Sequence, residues 1–148
     1  MTQATEVLDR VLHLATLVQS DLARFEREAG LTTPRVHLLW VLGEAGPSTQ
    51  QALARALAVT PRNVTGLVDG LVASGHVTRE PHPTDRRATL VTPTTQGART
   101  IRELVESHDD LARRLFGDVA PERLTTFDEV LGATVERFAG LMAAEAAR

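Results

Sequence analysis

Residues 48–92 read STQQALARALAVTPRNVTGLVDGLVASGHVTREPHPTDRRATLVT, and the way this stretch folds decides the rest. Ser48 and Thr49 offer a helix N-cap, and Ser48 with Gln51 fits the capping-box spacing. A short helix carrying Leu53, Ala54 and Leu57 follows. After a turn at Ala58-Val59, Thr60-Pro61 sets a cap before a first-turn proline and opens a second helix to Ser74, with Gly75 as its stop. Two short helices joined by a tight turn make a helix-turn-helix plan.

Projected at about 100° per residue, Val64, Leu67, Val68, Leu71 and Val72 share one face of the second helix. The other face carries Arg62, Gly66, Asp69, Gly70 and Ala73, with Asn63 and Thr65 at its edges. These are small or hydrogen-bonding groups, unlike the Glu/Lys mixture of a solvated helix. Each interior glycine costs about 1 kcal/mol against alanine, and close approach of another backbone would give that cost a purpose. His76–Arg79 and Ala88–Thr92 are β-like, and Glu80–Arg87 between them is too long for a two-residue turn. A hairpin with a protruding basic tip, a wing, is expected.

Working outward, Val7, Val11, Leu14, Val18, Leu22 and Phe25 recur at helical steps, and Gly30 ends that long helix. Thr33-Pro34 reads as a cap and first-turn proline for a helix to about Leu42, apolar nearly all round and so central, broken by Gly43 and Gly46-Pro47. Beyond the wing, a helix starting near Thr94 carries Ile101, Leu104, His108, Leu111 and Leu115. Another, after Ala120-Pro121, carries Leu124, Phe127, Leu131, Val135, Phe138 and Met142. The expected fold is mostly α with a small β-hairpin wing, as one unit over 1–148. Within it, 33–92 form a winged helix-turn-helix lobe, and 1–30 with 94–146 form a helical dimerisation lobe, because the long apolar stripes need a partner surface.

The absence of cysteine excludes disulfides, thiolate metal sites and cysteine nucleophiles. Net charge is −3, but residues 51–92 carry five arginines against three acids, whereas both flanking segments are acidic. All sixteen basic residues are arginine, whose planar fork suits phosphate and guanine. No signal peptide or membrane span is read, so a cytoplasmic protein is expected. Neither HExxH nor the phosphate-loop, nucleophile-elbow and dinucleotide-binding patterns occur. No enzyme, cofactor or metal site is therefore expected.

The ordered set Gly46-Pro47-Ser48-Thr49 before Leu53-Ala54, Thr60 to Leu71 before Gly75-His76-Val77, Asp85-Arg86-Arg87-Ala88, and Thr94 to Gly97 resembles the MarR family of transcriptional regulators across essentially the whole chain. Asp85 and Arg87 match the family's D-x-R wing signature. The resemblance implies a winged helix-turn-helix homodimer, a repressor on an inverted-repeat DNA operator, released by a small, often aromatic and anionic effector. Gly66 and Gly70 depart from the basic or longer side chains often found there, and Pro93 replaces the usual Leu.

The expected DNA-binding residues are Thr49, Thr60, Pro61, Arg62, Asn63, Thr65, Arg79, Asp85, Arg86 and Arg87. A helix N-terminus in the major groove sets Arg62 on guanine, Asn63 on adenine and Thr65 on a thymine methyl. Thr60 caps and also reaches a phosphate. Arg86 and Arg87 enter the minor groove or pair with phosphates. Asp85 holds Arg87 or another wing arginine by a charge-assisted bond, and Arg79 either braces the wing or touches DNA backbone. His13, Leu17, Arg35, His37 and Trp40 are the expected effector-binding set, although the histidines and Trp40 also read as packing residues. The competing reading, motivated by Gly66, Gly70 and the acidic total, is a helical dimer that binds a ligand or protein and has little DNA affinity.

Overall fold

Helix α1 (Gln3–Ala29) begins at Thr2, whose hydroxyl accepts from the Thr5 N–H while the Thr5 side chain returns to the Thr2 backbone. It ends at Gly30, left-handed at φ 68°, as the spacing predicts. The computed structural model describes all residues, 1–148, in two compact units, Met1–Val105 and Glu106–Arg148.

In the first unit, α2 (Thr33–Ala45) is the centre, with Leu38, Leu39 and Leu42 essentially fully buried. Around it lie α3 (Gln50–Leu57), α4 (Pro61–Ala73) and the strands β1 (Val77–Pro81) and β2 (Thr89–Pro93). They contribute Leu53, Val64, Val68, Leu71, Val77 and Val91 to the same core. Burying one such side chain is worth about 1.5–3 kcal/mol, so this unit has a stabilising centre of its own. α1 reaches it only through its C-terminal end, where Phe25 and Ala29 pack on the core. α5 (Thr95–Phe116) adds Ile101 and Leu104, and the division between the units falls within it.

The second unit contains the end of α5 and α6 (Pro121–Ala146), with the Phe116 and Phe127 rings 6.3 Å apart and tilted by 40°. No helix is long and apolar enough to cross a membrane. The mostly helical chain with one antiparallel hairpin is the expected fold class.

Several local expectations are corrected. The cap residue of α2 is Thr32, not Thr33, and its hydroxyl makes no capping bond. Instead the Thr33 N–H and hydroxyl both donate to the Glu26 carboxylate, so α1 caps α2 from outside. Gly43 does not break α2, which runs on to Ala45; a Cβ there would fall 2.6 Å from Ile101 Cγ2, so glycine admits α5. Ser48 is not the cap of α3. Thr49 is, accepting from the Ala52 N–H at 3.1 Å, while Ser48 pairs with Val91 of β2 in an isolated antiparallel bridge. Val72, placed on the apolar face of α4 by projection, is 39% exposed. Each strand starts one residue later than expected, at Val77 and Thr89, and runs further, β1 by two residues to Pro81 and β2 by one to Pro93, so the wing loop is 82–88 instead of 80–87.

Candidate nucleic-acid interface

The turn between α3 and α4 closes at Ala58, left-handed at φ 52°, and its N–H donates to the carbonyls of Ala54 and Arg55. That geometry delivers Thr60 as the cap of α4, accepting from the Asn63 N–H at 3.2 Å, with Pro61 in the first turn. Thr60, Pro61, Arg62, Asn63 and Thr65 are all exposed there, while Val64 and Val68 anchor the opposite face. The Thr65 hydroxyl donates to the Pro61 carbonyl and accepts from Gln50 Nε2, each at 3.0 Å.

Gln50 continues the network. Its Oε1 accepts from Arg79 Nε at 3.0 Å, and the Arg79 guanidinium pairs with Asp69 at 2.5 Å. Arg79 therefore braces β1 against α3 and α4. An exposed pair of this kind adds at most about 1 kcal/mol, so its consequence is orientation more than stability. Sequence alone assigns no role to Gln50 or Asp69. Asp69 gives a faint signal, as the one acid on a face of small residues, and Gln50 gives none.

Gly70 has a partner as well. A Cβ there would come within 2.5 Å of the Arg35 guanidinium, so the side chain from α2 lies against α4 at the glycine. The neighbour at Gly70 is therefore a side chain of the same unit and not, as expected, another backbone. Gly66 has nothing within 4 Å and is open.

In the wing, Asp85 Oδ1 accepts from the backbone N–H of Arg87 at 3.0 Å, not from a guanidinium as expected. Arg62, Arg86 and Arg87 are exposed and none is ion-paired. His82, to which no sequence pattern gives a role, accepts at Nδ1 from the Thr84 and Asp85 N–H groups at 3.2 and 3.0 Å.

At the joint behind the interface, His76 is 6% exposed and its Nδ1 lies 2.7 Å from Ser74 Oγ; burial pushes its pKa down. Thr94 Oγ1 donates to the Gly75 carbonyl at 2.6 Å and accepts from the Gly97 N–H at 3.0 Å, capping α5.

Of the effector set, Arg35 and Trp40 are partly buried on α2 and His37 is exposed. His13 and Leu17 are exposed in the middle of α1, about two to four turns before the Phe25 and Ala29 contacts with the core.

The family model described as "MarR family" matches residues 29–88. The chain is 31% identical over 124 residues to the HTH-type transcriptional repressor NicR of Pseudomonas putida, covering 80% of this chain and 78% of that protein. Its match to the uncharacterized HTH-type transcriptional regulator YcgE of Bacillus subtilis is 39% identical over 77 residues and spans half of that protein. Among solved structures, AbsC, a MarR family transcriptional regulator of Streptomyces coelicolor, superposes with a TM-score of 0.72 at 26% identity, over 95% of this chain and 97% of AbsC. Streptococcus pneumoniae FabT, crystallised in complex with DNA, superposes with a TM-score of 0.77 at 19% identity, over 94% and 97%, which is a likeness of fold.

Proposed function

The chain belongs to the MarR family of transcriptional regulators, and from that premise we propose that it is a cytoplasmic homodimer that represses transcription by binding an inverted repeat in double-stranded DNA. The observation that carries the reading is where three of the arginines without an ion-pair partner stand: Arg62 at the exposed start of α4, and Arg86 and Arg87 on the wing. In a lobe where Arg79 is tied to Asp69, these three have no internal ion-pair partner. Arg62 reads guanine and Asn63 adenine in the major groove. Thr65 offers its methyl to thymine, since its hydroxyl is engaged with Pro61 and Gln50. The N-termini of α3 and α4, capped by Thr49 and Thr60, meet phosphates. Arg86 and Arg87 take the neighbouring minor groove or its phosphates, with Asp85 setting the backbone under Arg87. The likeness to the repressor NicR supports this reading, and the fold is one that FabT carries in its complex with DNA.

Two copies present two reading helices to half-sites about 34–36 Å apart. Support for the pair comes from the stripes left in solvent, Val7, Val11, Leu14 and Val18 on α1 and Phe127, Val135, Phe138 and Met142 on α6, since large exposed apolar patches mark association surfaces. A small aromatic anion bound near His13, Leu17, Arg35, His37 and Trp40 releases the operator. Arg35 already lies against α4 at Gly70, so an anion drawn to its guanidinium acts directly on the reading helix. A tenfold loss of DNA affinity requires about 1.4 kcal/mol of preference for the released state.

Selection of bound duplexes from a random pool, followed by anisotropy titrations, tests the reading. Arg87→Ala weakens binding to the selected repeat and lowers the salt slope by about 0.9 for each phosphate it no longer neutralises, while Arg62→Ala changes the preferred base. Failure to retain any duplex at low ionic strength favours the ligand- or protein-binding dimer instead.

A further inference from the structure

We propose that His82 is the positioning residue of the wing, the side chain that gives the arginine-bearing tip one shape; this rests on the DNA-binding reading above. Residues 83–87 are all exposed, so packing does not shape the tip and hydrogen bonds must. The His82 N–H closes the loop on the Ala88 carbonyl at 3.1 Å, and the Ala88 N–H returns to the Asp85 carbonyl at 3.2 Å. Between these, His82 Nδ1 accepts from both the Thr84 and the Asp85 N–H. Two donors on one ring nitrogen require a lone pair there, which puts the ring proton on Nε2. Pro81 and Pro83 flank the histidine, each with φ fixed near −65°, and Pro83 keeps His82 itself extended. The backbone that carries the ring is therefore restrained before the loop forms. Asp85, held through its own N–H, then accepts from the Arg87 N–H. The relay runs from His82 to Asp85 to Arg87 with a side chain accepting from a backbone N–H at each step, and it leaves both guanidinium groups unpaired for DNA.

Asparagine places an acceptor, Oδ1, at the same bonded distance from Cβ as Nδ1 and favours the same turn. Phenylalanine keeps a ring without the acceptor, and alanine removes both. On the duplex selected by the wild-type chain, His82→Ala and His82→Phe bind about five- to tenfold more weakly, with the loss and the lowered salt slope of Arg87→Ala. Adding either to Arg87→Ala costs little more. His82→Asn restores wild-type affinity to within about twofold, and all of these variants unfold at the wild-type temperature. His82→Phe binding like wild type, or His82→Asn binding as weakly as His82→Ala, overturns the proposal while the DNA reading stands. If wild type retains no duplex, the DNA reading fails instead, and amide exchange tests the positioning alone. Exchange at Thr84 and Asp85 is faster in His82→Ala and unchanged in His82→Asn, whereas equal exchange in wild type and His82→Ala overturns it.

Discussion

A methyl group added at Gly97 would overlap the His76 carbonyl oxygen, a backbone atom that cannot step aside. The same addition at Gly66 meets nothing within 4 Å. Gly97→Ala should therefore destabilise the chain by about 1–3 kcal/mol or more, and Gly66→Ala should stabilise it by up to about 1 kcal/mol by improving helix propensity. Denaturant unfolding of the two variants beside wild type checks both signs, and equal midpoints would refute the contrast. The pair shows where sequence reading stops at this scale. Thr60 and Pro61 are legible because a cap and a first-turn proline act on residues within one helical turn. The glycines are not, because each is explained by a distant neighbour: Ile101 for Gly43, Arg35 for Gly70, His76 for Gly97. The bond between Gln50 and Arg79 joins residues 29 apart, and no local pattern announces it.

Among the elements, α4, β1 and α5 meet at a joint held by hydrogen bonds through one residue. The His76 N–H donates to the Leu71 carbonyl at 2.9 Å, its carbonyl accepts from the Thr94 N–H at 3.0 Å, and its ring meets Ser74. Burial pushes the His76 pKa down, so the folded chain prefers the neutral ring and the unfolded chain binds the proton more readily. The stability this confers is complete above the unfolded value of about 6.5. It is lost as pH falls from there through the lower folded value. Unfolding free energies measured from about pH 7.5 to about pH 5 should fall more steeply for wild type than for His76→Gln, and parallel curves would remove His76 as the cause. The elements themselves are readable from apolar period and punctuation, with ends shifted by a few residues at most. The exception is the bridge made by Ser48, whose partner Val91 lies beyond α3, α4 and the wing loop, so that no period betrays the pairing.

For the molecule as a whole, a net charge of −3 opposes association with DNA at long range, so affinity depends on where the positive charge sits and on how many copies bind at once. The arginine surplus in 51–92 bears on the first, and the proposed dimer, with the apolar stripes as its contact, on the second. Val135 and Phe138 on α6 are 60% and 64% exposed in the single chain. Replacing both with aspartate removes nothing from the core of the first unit, yet it sets charge in the middle of a stripe that a second copy would cover. Sedimentation equilibrium should give the mass of two chains for wild type and one for Val135→Asp with Phe138→Asp. Linking two half-site contacts raises avidity by about 10²–10⁴-fold, so the doubly substituted chain should lose about that factor on an inverted repeat. On a duplex holding one half-site, where a second reading head adds nothing, the two proteins should bind alike. A two-chain mass for the variant would move the dimer contact away from this face of α6. A one-chain mass with undiminished affinity for the repeat would mean that the reading heads work singly.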